Sequence, residues 1–122
     1  MLVATSVSAQ FRGFRLIPLS ETSPALSAAD FQVRCAALYQ YLSVFDGGKR
    51  EEWADRSAVA KARALANAQA EMPSREADDI LQRINMLIVA RSNDYVATIF
   101  DADGDAQIID KDLASCADGG VS

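Results

Sequence analysis

Phe31, Cys35, Leu38, Leu42 and Phe45 recur at steps of four, three, four and three. An α-helix turns once in 3.6 residues, so these five side chains fall on one stripe, and residues 29–45 are expected to form a helix packed along it. One member of the stripe is a cysteine. Its only possible intrachain partner is Cys116, near the other end of the chain. A Cys35–Cys116 bond makes the core and a covalent staple begin on the same face. In an oxidising compartment the two thiols pair; in the cytosol they are two small buried hydrophobes.

The length, 122 residues, fits one domain, and half of the residues are hydrophobic, enough for a real core. Much of that half is alanine, which favours packed helices over sheets. The net charge of −5 is unevenly placed. Residues 1–100 balance, whereas residues 101–122 hold six aspartates against one lysine. No basic patch exists, so nucleic acid is not an expected partner. No apolar run approaches membrane-spanning length, so no transmembrane segment is expected.

Residues 1–9 are small and apolar. Val7 and Ala9 suit the −3 and −1 positions of a signal-peptidase site, and the stretch is expected to be the remnant of a signal peptide whose start lies upstream. That places the protein in the periplasm or outside the cell, with an ordinary N-terminus and a cytoplasmic location as the alternative. Residues 10–27 carry two prolines and several serines, which predicts an extended arm. Its Phe11, Phe14, Leu16 and Ile17 are too apolar for free solvent, so the arm is expected to pack across the bundle rather than dock on a partner.

Residues 28–122 form the helical domain. Ser27 with Asp30 fits a capping box, and Gly47-Gly48 is a stop signal. The second helix is expected from about Lys49 to Met72, with a stripe of Ala58, Ala62, Leu65, Gln69 and Met72 and with Trp53 at its start. Pro73 closes it. The third begins after Ser74 as N-cap and presents Ile80, Leu81, Ile84, Leu87 and Ile88. It either breaks near Ser92-Asn93 or continues through Tyr95, Val96, Ile99 and Phe100. The last, residues 107–117, carries Ile109, Leu113 and Cys116 on one face and stops at Gly119-Gly120. The fold class is therefore all-α: a small antiparallel bundle of three long helices and one short C-terminal helix, with an extended N-terminal arm and a disulfide staple. In general plan this is similar to small exported helical proteins of bacteria, such as periplasmic chaperones and secretion-system immunity proteins, though no motif carries a functional residue across.

One stretch has chemical character. Calcium takes six to eight oxygens around one point, and a twelve-residue loop supplies them from positions 1, 3, 5, 7, 9 and 12. Residues 101–112 resemble such an EF-hand loop, with Asp101, Asp103 and Asp105 at positions 1, 3 and 5. The Gln107 carbonyl stands at position 7, Ile108 at the aliphatic position 8 and Asp112 at position 12. Phe100 before the loop and Leu113 after it match the family's flanks. The resemblance implies one calcium ion held by Asp101, Asp103, Asp105, Gln107 and Asp112. The sequence departs from the family at Ala106 (glycine there), at Asp112 (glutamate) and at Ile109, which offers no oxygen. The alternative assignment needs no metal: Asp103-Gly104 makes a turn and Asp105 caps the final helix.

The chain has no histidine, no phosphate-binding glycine loop and no CxxC pair. Glu51, Glu52, Asp55 and Glu76, Asp78, Asp79 sit in first helical turns, where the helix dipole favours negative charge. No enzyme is expected. Two expectations remain: a non-catalytic interaction or accessory protein of the bacterial envelope, whose partner is another protein, or a calcium-binding module with one EF-hand-like loop. The first predicts an exposed apolar patch including Phe11, Phe14, Trp53 or the tyrosines.

Overall fold

The computed structural model of the chain describes residues 15–23, 25–101 and 104–121, with side chains described as far as residue 117. Residues 1–9, expected to be a signal-peptide remnant, lie outside them, as do Phe11, Phe14 and Asp103. The elements are α1 (Ala28–Phe45), α2 (Arg50–Glu71), α3 (Ala77–Phe100) and α4 (Ile108–Val121), with 3-10 turns at Leu19–Glu21 and Gly47–Lys49. Among the described residues there is no strand. The all-α expectation of three long helices and a shorter one holds, as does the Cys35–Cys116 bond, whose Cα atoms are 5.7 Å apart.

α1 is the hub. Residues 32–38 are buried without interruption, so the helix is enclosed on every side rather than along one stripe. The expected stripe holds at Cys35, Leu38 and Leu42 but not at its end, because Phe45 is exposed. At the N-terminus Asp30 N–H donates to Ser27 Oγ at 3.2 Å, and Ala29 N–H to Glu71 Oε2 at 3.0 Å. Two donors that a helix start leaves free are thus satisfied, one of them from the far end of α2.

α2 runs antiparallel to α1. Ser57 Oγ donates to the Ala36 carbonyl at 2.9 Å, and Asn67 Nδ2 to that of Ala28 at 3.5 Å. Its buried residues are Trp53, Ala60, Ala64 and Ala68, whereas Ala58, Ala62 and Gln69 face outward. The expected stripe therefore holds at Trp53, Leu65 and Met72, which pack on the core, but not at Ala58, Ala62 and Gln69. Alanine offers no contrast to set the phase; Trp53 and the Ser57 hydrogen bond set it, and the alanines on that side let the two backbones approach.

α3 is one continuous helix with no break at Ser92-Asn93. It starts later than expected: Glu76, not Ser74, is its N-cap and makes no side-chain cap bond. Ile80, Ile84, Ile88, Tyr95 and Thr98 are buried, while Leu81 is exposed. The buried Asp94 pairs with Arg91 Nε at 2.9 Å, an ion pair without hydrogen-bond alignment. α4 buries Ile108, Asp112 and Cys116, one residue round from the expected Ile109-Leu113 face, and its backbone stays helical through Gly119-Gly120 to Val121.

The described part of the arm crosses the bundle: of its expected apolar contacts Leu16 packs on the core, Ile17 is 59% exposed, and Phe11 and Phe14 lie outside the described residues. Leu16 N–H donates to Thr98 Oγ1 at 2.7 Å, and Leu19 N–H to Asp112 Oδ1 at 2.8 Å. Lys111 and Glu21 add an exposed ion pair at 3.4 Å. Among the described residues no helix is long and apolar enough to cross a membrane.

Candidate functional site

Of the residues of the expected calcium loop, Asp101, Asp105, Gln107 and Asp112 are among those described. Asp112 is fully buried, and its carboxylate accepts from Leu19 N–H, from Arg34 Nη2 at 2.8 Å and from the Tyr95 hydroxyl at 2.5 Å. Both oxygens thereby accept hydrogen bonds from groups on the arm, α1 and α3. The Gln107 carbonyl, expected at position 7, accepts the Lys111 N–H of the first turn of α4 at 3.1 Å. Asp105 Oδ1 accepts from Gln107 N–H at 3.0 Å and so shapes the approach to α4, as the metal-free assignment expects. Asp101 lies at the surface, 3.3 Å from Arg15 Nη2. Among the described residues no three acidic or cysteine side chains are grouped to hold a metal ion.

Gly104 has a packing reason. A Cβ there would lie 2.3 Å from the Thr98 carbonyl oxygen and 2.8 Å from that of Asp101. The chain turns back tightly onto the end of α3, with Gly104 N–H donating to Asp101 O and Asp105 N–H to Thr98 O. Only glycine leaves room for that approach.

Sequence reasoning missed the polar centre of the molecule. Arg34 is buried and donates through Nη2 to both Asp112 and the Ile17 carbonyl (2.9 Å), and through Nε to the Tyr95 hydroxyl at 3.3 Å. Four segments meet on one guanidinium. Burial, reinforced by the Asp112 charge, pushes the Tyr95 phenol well above its ordinary value, and Arg34 opposes that only in part. The hydroxyl is held as a donor to Asp112. Arg34 Nε and Nη2, the Tyr95 hydroxyl and both Asp112 oxygens all have partners within the fold, so the centre ties its segments together. An arginine inside an apolar helix, with an aspartate at a helical step from a cysteine, was the available signal.

Two surface features remain. The first is a groove of about 600 Å³ bounded by α1, α2 and α4 beside the disulfide. Tyr39 and Trp53 stack at one end, 5.9 Å between centroids. Trp53 is buried, its Nε1 donates to Asp46 Oδ2 at 2.9 Å, and Arg56 lies 5.0 Å from its ring centroid. Val59 and Leu113 line the walls, and Gln32 and Arg63 belong to the lining as well. The second is an aromatic patch where α1 and α3 end. Phe45 and Phe100 are 53% and 65% exposed with centroids 5.9 Å apart, Val44 is exposed beside them, and Tyr41 stacks beneath Phe45 at 4.5 Å. The exposed patch is thus not made of Trp53, Tyr41 and Tyr95, which are buried, but of two phenylalanines that the periodicity counted as core.

No protein-family model, curated protein or solved structure matches this chain.

Proposed function

We propose that the chain is a non-catalytic interaction protein of an oxidising compartment, the bacterial envelope, and that it docks a protein partner through the patch of Val44, Phe45 and Phe100. The observation that carries this reading is the Phe45–Phe100 pair. Two large aromatic rings stand more than half exposed and in mutual contact, at the end of the bundle, where burial against a partner would recover their apolar area. The complementary partner presents apolar side chains to this pair. The disulfide supports the compartment.

The test is site-specific photo-crosslinking in the native host. A photoreactive residue at position 100 is expected to give a discrete adduct with one protein, lost on Phe45→Ser. The same residue at Arg75, on the exposed turn between α2 and α3, gives none. No adduct at position 100, or the same adducts from both positions, overturns the reading. Calcium binding by residues 101–112 remains the alternative; the prior use of Asp112 and the Gln107 carbonyl within the fold makes it the weaker one.

A further inference from the structure

We propose that the groove between α1, α2 and α4 is a binding site for an amphiphilic carboxylate, with the apolar body on the Tyr39–Trp53 stack, Val59 and Leu113 and the carboxylate on Arg63 and the Gln32 amide. The proposal stands apart from the Phe45–Phe100 surface.

Gln32 makes the groove more than a gap in the packing. It is only 7% exposed, it lines the groove, and its side chain makes no hydrogen bond among the described residues. A primary amide carries two donors and an acceptor, and since Arg91 Nε is the only buried side-chain polar atom without a partner among the described residues, the Gln32 amide meets the solvent of the groove. A glutamine held at this depth without a protein partner has donors to offer a ligand. Arg63 is the matching charge: it lines the same groove and, among the described residues, has no ion-pair partner. The register of the two helices brings them to one level. Ala36 faces Ser57 and Ala28 faces Asn67, which sets Gln32 opposite residues 61–63.

The groove is therefore polarised along its length. Gln32 and Arg63 stand at one end, the aromatic stack at the other, separated by two turns of α1, about 10 Å. Asp55 and Arg56 both line the aromatic end, where Arg56 is already paired with Glu52 at 3.0 Å, so Arg63 is the arginine of the lining with no ion-pair partner among the described residues. Apolar walls with a few convergent polar groups, and a volume within the range of small-molecule sites, are the features such a site requires. A carboxylate takes the parallel donors of a guanidinium and accepts from an amide N–H at the same time; a cation finds no acceptor of its own at that end beyond the amide oxygen.

Trp53 is the only tryptophan, so its emission reports the groove directly. The disulfide-bonded protein is titrated with decanoate, decan-1-ol and decylammonium. Decanoate is expected to change Trp53 emission saturably in the micromolar to millimolar range, decanol more weakly and decylammonium not at all. Arg63→Ala, at an exposed position that leaves melting unchanged, is expected to weaken decanoate about tenfold, the worth of one charge-assisted hydrogen bond. Gln32→Leu is expected to weaken it in the same direction without loss of the folded state. No saturable response to decanoate, equal responses to the three amphiphiles, or decanoate binding unaffected by Arg63→Ala would each overturn the assignment.

Discussion

Asp112 carries its charge into a position without solvent contact, and Arg34 meets it there at 5% exposure. Desolvating both ions is costly, and their attraction offsets it only where the remaining lone pairs and protons are also used. Here they are used: Leu19 N–H and the Tyr95 hydroxyl complete the carboxylate, and the Ile17 carbonyl takes part of the guanidinium. Loss of either ion would leave the other buried and uncompensated, a change worth about 3–5 kcal/mol. The arrangement also has a pH signature. An unfolded tyrosine begins to release its proton near its ordinary value of 10.0, whereas folded Tyr95 keeps it to well above that. Below pH 10 both states are protonated and Tyr95 contributes no slope. Above it the unfolded state binds fewer protons, so stability falls with rising pH by about 1.4 kcal/mol per unit until the folded phenol ionises. Tyr41, raised by burial, acts in the same direction. Denaturant titrations across the alkaline range are expected to show a shallower decline for Tyr95→Phe than for the native chain; identical slopes would contradict the account.

The helices show how far local pattern reaches. Ser27, Gly47-Gly48 and Pro73 marked three boundaries within a few residues, because capping and chain-breaking act between near neighbours. The facing directions were less legible. On α2 the spacing Trp53, Ser57, Ala60, Ala64, Ala68 was as regular as the stripe inferred, and alanines stood on both sides. On α4 the polarity of Asp112 argued for the surface, and only its pairing with Arg34 turns it inward. The turn between α3 and α4 depends on one residue. Gly104→Ala brings a methyl against two backbone carbonyls that no side-chain rotation can clear. It is expected to cost about 1–3 kcal/mol, as overpacking does, measured as a lower denaturation midpoint at unchanged slope. An unaltered midpoint would show that the turn is free to open.

The whole molecule is organised around α1, which α2, α3, α4 and the arm all touch. α4 is the least extensive helix contact with α1, and the disulfide holds it at the middle of the hub. Closing a loop of 81 residues restricts the unfolded chain by about 4–5 kcal/mol at most. Thermal melting is expected to fall strongly under reducing conditions and to be indifferent to calcium against chelator, since a ligand of the folded state alone must raise the midpoint. A calcium-dependent rise would restore the loop of residues 101–112 as a metal site. Insensitivity to reduction would remove the staple from the stability of the fold.

By itself the sequence determined the fold class, the number of helices and the partner of each cysteine. These follow from periodicity, from capping and from there being only two thiols to join. The tertiary structure alone decided which alanines of α2 are inside, that Asp112 is a buried anion paired with Arg34, that Phe45 and Phe100 face outward, and that Gln32 opens onto a groove. The reason is physical. Whether a polar group can be buried depends on what stands opposite, and the group opposite Asp112 is 78 residues away along the chain.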